Sequence, residues 1–291
     1  MKSNKVLLMG KCARDTRELE PTNLWNNETK VQFLSNLSFN IWDCGGQDAA
    51  FREYFTTYQE IIFKTVYLLI YVFDSVSAEP DKDIHYYQSC LEFILTHSPN
   101  AKVFCLMHKI DLIPDDKREK VFEKQRKELH IRSEPVQVQV FQTSIWDESL
   151  YAAWSKIIRC LVPNINALQN GLNKFCDICE ADEIVLFERT TLLVIANSAS
   201  IYHPDPQRFE KISSIIKQFN LYTRKERCSN QMQLKGSTFT AYFDSLTSST
   251  NILLIISDSR ITPAATQINI KAAKKYFEKL EDQQSIQIQE L

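Results

Sequence analysis

Val66-Tyr-Leu-Leu-Ile-Tyr-Val-Phe73 is apolar at every position. A strand with one wet face alternates apolar and polar residues, whereas a strand covered on both faces needs no alternation. The run's length and its β-branched and aromatic content predict a central parallel strand. Downstream, a helical pattern over Lys82 to Thr96 precedes strand-like Ala101 to Met107, Lys117 to Leu129 precedes Val136 to Phe141, and Glu148 to Leu161 closes the series. Upstream, Lys5 to Met9 is a short apolar strand running into Gly10. Val31 to Leu34 and Leu37 to Trp42 form a hairpin across Ser35-Asn36, and Phe51 to Phe63 has helical spacing. Strands alternating with helices predict an α/β fold with an open, doubly wound, mostly parallel sheet, whose ligand binds beyond the carboxyl ends of the strands.

Past Val162-Pro163-Asn164 the alternation stops. A helix over Ile165 to Ala181 leads to Ile184 to Phe187 and Thr191 to Ala196, an antiparallel pair turning at Glu188-Arg189. A helix over Arg208 to Phe219, strand-like Thr238 to Phe243 and Asn251 to Ile256, and a last helix over Ala264 to Leu280 complete an α+β half. The segment from 282 to 291 is polar and reads as a flexible tail.

The chain has 291 residues, 44% of them hydrophobic, and a formal net charge of −2. That charge, with no dense Lys/Arg block, argues against nucleic acid and against broad attraction to anionic lipid. The apolar runs fall far short of a membrane span and the N-terminus lacks the apolar run of a signal peptide, so a cytoplasmic chain without direct membrane insertion is expected. Its eight cysteines are then reduced. Cys176 and Cys179 form a C-x-x-C without a second ligand pair, which points to packing rather than zinc or redox chemistry. Trp42, Trp146 and Trp154 are expected in the core.

Three segments at strand ends carry chemistry. Ser38-Phe-Asn-Ile-Trp-Asp-Cys-Gly-Gly-Gln47 delivers Asp43 to where a carboxylate meets magnesium through water, and Gly46 to where a backbone N–H approaches a terminal phosphate unobstructed. Gln47 stands where GTP-hydrolysing switches orient the attacking water. His108-Lys-Ile-Asp111 follows the Ala101 to Met107 strand. The Asp111 carboxylate there can accept from the N1–H and exocyclic amine of guanine, a donor pair adenine lacks, while the stem of Lys109 lies along the base. Thr143-Ser144-Ile145 offers a small hydroxyl and backbone N–H groups to the same base. Each motif alone is weak; their order, each after a strand, is specific.

Trp42 to Asp48, Leu69 to Asp74, His85 to Glu92, His108 to Asp111 and Thr143 to Glu148 together resemble the Rag GTPases of the RagA/RagB class, with the yeast Gtr proteins. The likeness continues through Leu186 to Arg189, Arg208 to Ser213 and Ala273 to Leu280. His108 is part of it, since most Ras-like proteins carry Asn there. The resemblance implies a Ras-like P-loop GTPase domain over 1–162 and a roadblock-type dimerisation domain over 163–281. It also implies GTP/GDP and Mg2+ as cofactors, with the nucleotide held by Gly10, Lys11, Thr22, Gly46, His108, Lys109, Asp111, Ser144 and Ile145. The metal falls to Thr22 and Asp43, and catalysis to Gln47. The partners implied are a RagC/RagD-type subunit in a heterodimer, a lysosomal or vacuolar scaffold complex that holds the chain peripherally on that surface, and the TORC1 kinase complex, in amino-acid signalling.

One motif departs. A phosphate loop starting at Gly10 should carry Gly, Lys and Ser/Thr at positions 15 to 17, where this chain has Asp15, Thr16 and Arg17. Gly10-Lys11 matches the start of the family's loop, and Ala13 to Arg17 resembles the segment just past the family's first helix. Loss of that helix would uncover an apolar sheet face at roughly 25 cal/mol per Å², which favours a missing segment. The alternative is a nucleotide-free pseudo-GTPase acting as an interaction subunit.

Overall fold

A computed structural model describes residues 4–10, 24–33, 37–162, 165–200, 202–205, 208–226 and 231–289. These residues form two compact units, with the main change falling between Ala153 and Trp154 and with Gln32, Phe33 and Leu37 grouped with the second. The first contains β1 (Asn4–Met9), β2 (Trp25–Phe33), β3 (Leu37–Cys44), α1 (Asp48–Thr56), α2 (Gln59–Phe63), β4 (Val66–Asp74), α3 (Pro80–His97), β5 (Lys102–His108), α4 (Asp115–Arg132) and β6 (Val138–Thr143). The division interrupts α5 (Ser149–Leu161). Among the described residues the strands form one sheet in the order β2-β3-β1-β4-β5-β6, and the pairs from β3 through β6 are parallel.

The apolar run expected at the centre is β4, flanked by β1 and β5, with Leu68, Leu69, Ile70 and Tyr71 all buried. One face of the sheet, with Leu7, Tyr71 and Cys105, packs against Phe51, Tyr54, Phe63, Tyr87 and Cys90 from the helices. Aromatic rings dominate that layer: Phe51 stacks on Tyr86 at 4.5 Å and Phe93 stacks on both Phe55 and Phe63. The predicted helix from Phe51 to Phe63 is broken in two. The N–H groups of Thr57 and Tyr58 both donate to Glu53 O, which ends α1, and Tyr58 turns its ring edge-on to Trp25. Trp25 also stacks on Trp42, so β2 begins six residues before the Val31 expected from sequence.

The second unit contains α6 (Ile165–Cys179), β7 (Glu183–Glu188), β8 (Val194–Ala199), α7 (Arg208–Glu226), β9 (Met232–Lys235), β10 (Thr240–Ser245), β11 (Thr250–Ile256) and α8 (Pro263–Gln289). Its strands lie in the order β8-β7-β11-β10-β9, with every pairing antiparallel. The strand predicted from Thr191 starts at Val194 because the Glu188 carboxylate accepts from the N–H groups of Thr190 and Thr191, turning the chain, and Leu192 takes a left-handed φ of 58°. The last helix runs to Gln289 rather than ending at Leu280. No Gly or Pro stops it, and buried Glu281 accepts from the hydroxyls of Thr247, Ser249 and Thr250. Cys176 and Cys179 are buried and their thiols are held above the usual range by burial, Cys179 at about 11, which disfavours a thiolate. Among the described residues no helix is long and apolar enough to cross a membrane.

Candidate functional site

The carboxyl ends of β1, β3, β4, β5 and β6 share one edge of the sheet, and the register brings the expected residues together. Leu8 pairs with Asp43, Asp74 with His108, and His108 with Thr143. Gly10 follows β1 with φ +147°, and a Cβ there would lie 2.0 Å from the Val72 carbonyl oxygen, so only glycine fits so close to β4. Lys11 and Thr22 lie outside the described residues.

Asp43 is half-buried at the end of β3. Beyond it the Gly45 N–H donates to Leu24 O at 2.7 Å. The fully buried Tyr54 hydroxyl reaches the same Leu24 carbonyl and also Gly45 O at 3.1 Å. Leu24 precedes β2 and Gly45 precedes Gly46, so one phenol ties the approach to β2 to the glycine turn. Gln47 occupies the N-cap position of α1 in extended conformation, makes no side-chain cap and is exposed. Behind the turn, burial and then Asp43 push the Cys44 thiol up to about 12.

His108, Lys109, Ile110 and Asp111 turn sharply off β5. Lys109 adopts the left-handed conformation, φ 60° and ψ 34°, and a short 3-10 turn over Ile110–Leu112 comes next, with Leu112 N donating to Lys109 O. Asp111 is half-buried on that turn and Ile110 anchors it in the core. Lys109 Nζ lies 2.9 Å from Asp74 Oδ2. From α4, Arg118 donates to the carbonyls of Ile110 and Ile113. His108 Nδ1 sits 3.1 Å from Thr143 Oγ1; burial, then the charge of Lys109, lowers its pKa. Ser144 is buried, its N–H donating to Ser149 Oγ and its hydroxyl accepting from Trp146 N, while Ile145 is exposed. Trp146 is 79% exposed, against the core position expected for it: this turn is held by short hydroxyl contacts and leaves its apolar residues in solvent.

Sequence reasoning misses Asp74, Tyr54 and Arg118. Asp74 carries a signal, a carboxylate directly ending the most apolar strand; the other two resemble ordinary helix residues. Lys5 is also notable: buried on β1, it donates to Ile61 O at 2.5 Å and lies 4.0 Å from the Trp42 ring centroid.

The family described as Gtr1/RagA G protein conserved region matches residues 3–216. The chain belongs to the Gtr1/RagA family. It is 47% identical to Ras-related GTP-binding protein A of Dictyostelium discoideum over 94% of this chain and 97% of that one. It is 51% identical to Ras-related GTP-binding protein B of Rattus norvegicus over 86% and 67%. Ras-related GTP-binding protein C of Mus musculus is more distant, 29% identical over 73% and 53%. The first unit is thus a Ras-like α/β GTPase fold, and the strand ends described above are those at which such folds hold their ligand.

Proposed function

We propose that this chain is a Rag-type switch whose partner choice depends on bound guanine nucleotide. The observation that carries the reading is the turn from His108 to Asp111, set at the edge where Gly10, Asp43, Gly46 and Ser144 lie at or just beyond the ends of β1, β3 and β6. Asp111 would accept the guanine N1–H and exocyclic amine, with the Lys109 stem along the base and the Ser144-Ile145 backbone facing it. Gly46 N–H would meet the terminal phosphate and Gln47 would orient water for hydrolysis. The half-buried Asp43 carboxylate suits the hard-oxygen demand of magnesium. Asp43 and Thr22 would hold the ion, which neutralises phosphate charge when bound.

The phosphate half is where a second reading enters, because positions 15 to 17 are Asp15, Thr16 and Arg17. Leu8, Ile41 and Val72, on one face of the sheet, keep part of their surface exposed. That is consistent with a missing helix; a pseudo-GTPase that only binds partners is the rival. Extraction and chromatography of nucleotide from the chain, co-expressed with a RagC-type protein, decides between them. Co-purifying GDP or GTP supports the switch, no nucleotide supports the interaction subunit, and adenine nucleotide overturns the guanine assignment. The transcript between the codons for Lys11 and Cys12 tests the missing segment directly.

For the second half we propose a roadblock-type pairing domain over 163–281, past which α8 continues to Gln289 where a flexible tail over 282–291 was expected. Support comes from its element order and from β9, a sheet edge with Leu234 exposed on it. The partner would be a RagC/RagD-type subunit, and the pair would sit peripherally on the lysosomal or vacuolar surface through a scaffold complex, signalling amino-acid supply to TORC1. Relatives of both the A/B and C type fit such a pair.

A further inference from the structure

We infer that Asp74 is the positioning residue of the base-reading turn, and that it presets this half of the site before any ligand binds. The inference rests on the nucleotide reading above for its consequence, but on geometry for its substance. Asp74 ends β4 with its side chain only 7% exposed, and both carboxylate oxygens are engaged: Oδ1 accepts from Val76 N at 3.0 Å and Oδ2 from Lys109 Nζ at 2.9 Å. Next to it, Ser75 N donates to His108 O at 2.9 Å, so the end of β4 grips the start of the turn at two points.

The grip explains a conformation that lysine rarely takes. A left-handed φ at a non-glycine residue persists only where its surroundings over-determine it. Here the side-chain head is tied to Asp74, while Arg118 holds the carbonyls of Ile110 and Ile113 from the other side. With both ends fixed, Asp111 is set on its turn before any ligand arrives.

Asp74→Asn in the full chain separates this role from simple packing, because the amide keeps an oxygen for Val76 N and the side-chain shape while removing the charge that holds Lys109. In the nucleotide-free protein, amide hydrogen exchange at Leu112 and Ile113 should accelerate about tenfold, the change expected from losing one charge-assisted hydrogen bond, while Leu106 inside β5 keeps its protection. Lys109→Gln, which cuts the contact from the other end, should give the same local signature and decides the matter if Asp74→Asn does not fold. Unchanged exchange at 112 and 113, or acceleration throughout β4 and β5, overturns the assignment. In the ligand arm, the preference for GDP over inosine diphosphate, which lacks the exocyclic amine, should fall in Asp74→Asn by about the same factor. Equal weakening for both nucleotides would also overturn it. If the wild type binds neither nucleotide, the switch reading fails, and the exchange arm alone still judges Asp74.

Discussion

Lys5 shows how one buried charge makes stability depend on pH. Burial lowers its pKa to about 8, against 10.5 for a free lysine. Below pH 8 it is charged in both states, and burying that charge destabilises the fold. Between about 8 and 10.5 the unfolded chain binds the extra proton, so stability contributed at this site rises with pH. The Cys44 thiol acts in the opposite sense above about pH 9, since the unfolded thiol ionises first. The comparison must therefore be between Lys5→Met and wild type. Urea midpoints at pH 7, 8 and 9 should show the stability gained in Lys5→Met shrinking as pH rises; parallel curves would exclude the effect. At Asp111, replacement by Asn puts a donor where two acceptors are needed. In a chain with nucleotide binding established, Asp111→Asn should shift preference from guanine toward xanthine by about a hundredfold, the size of one lost bidentate contact of about 1–3 kcal/mol. Competition between GDP and xanthosine diphosphate measures it, and retained guanine preference would remove Asp111 from the base site.

Among elements, the knot of Leu24, Gly45 and Tyr54 joins two segments distant in sequence. Tyr54→Phe keeps the ring in the core but leaves the Gly45 carbonyl without this donor, at a cost of about 1–2 kcal/mol. Exchange of the Gly45 amide should quicken and Trp25 fluorescence should change, because Trp25 is next to Leu24 in the chain and stacks on Trp42. If neither responds, the phenol is packing alone. Such a knot cannot be read from sequence, whereas β4 can. A strand buried on both faces announces itself by lacking alternation, and the glycine turn and the His108 to Asp111 motif are local patterns at its neighbours' ends. The start of β2 is hidden because Trp25-Asn-Asn-Glu-Thr-Lys30 is mostly polar and pairs only at the sheet edge. β9 is hidden because four residues, three of them exposed, carry no periodic signal. Asp74 is visible as a residue but not as a partner, since its contact lies 35 positions along the chain. Trp146 misleads because aromatic character alone does not say which side of a turn faces solvent.

Across the whole molecule, association belongs to the second unit under the pairing proposal. Leu234→Lys places a charge on the β9 edge, where Leu234 is 50% exposed. It should leave monomer stability within about 0.5 kcal/mol yet weaken pairing with a RagC-type subunit by about tenfold or more, the effect of one desolvated charge at an interface core. Light scattering of the co-expressed full chains reads the mass; undiminished pairing moves the contact elsewhere. The buried sulfurs supply a way to time such a molecule. Cys90 and Cys105 are sealed in the first unit and Cys176 and Cys179 in the second, all four as free thiols. A thiol-specific label can reach them only during transient opening, so each pair acts as a stopwatch for its own half. Labelling rates that move together on adding nucleotide or partner would reveal a single cooperative body; rates that part company would reveal two halves keeping separate time.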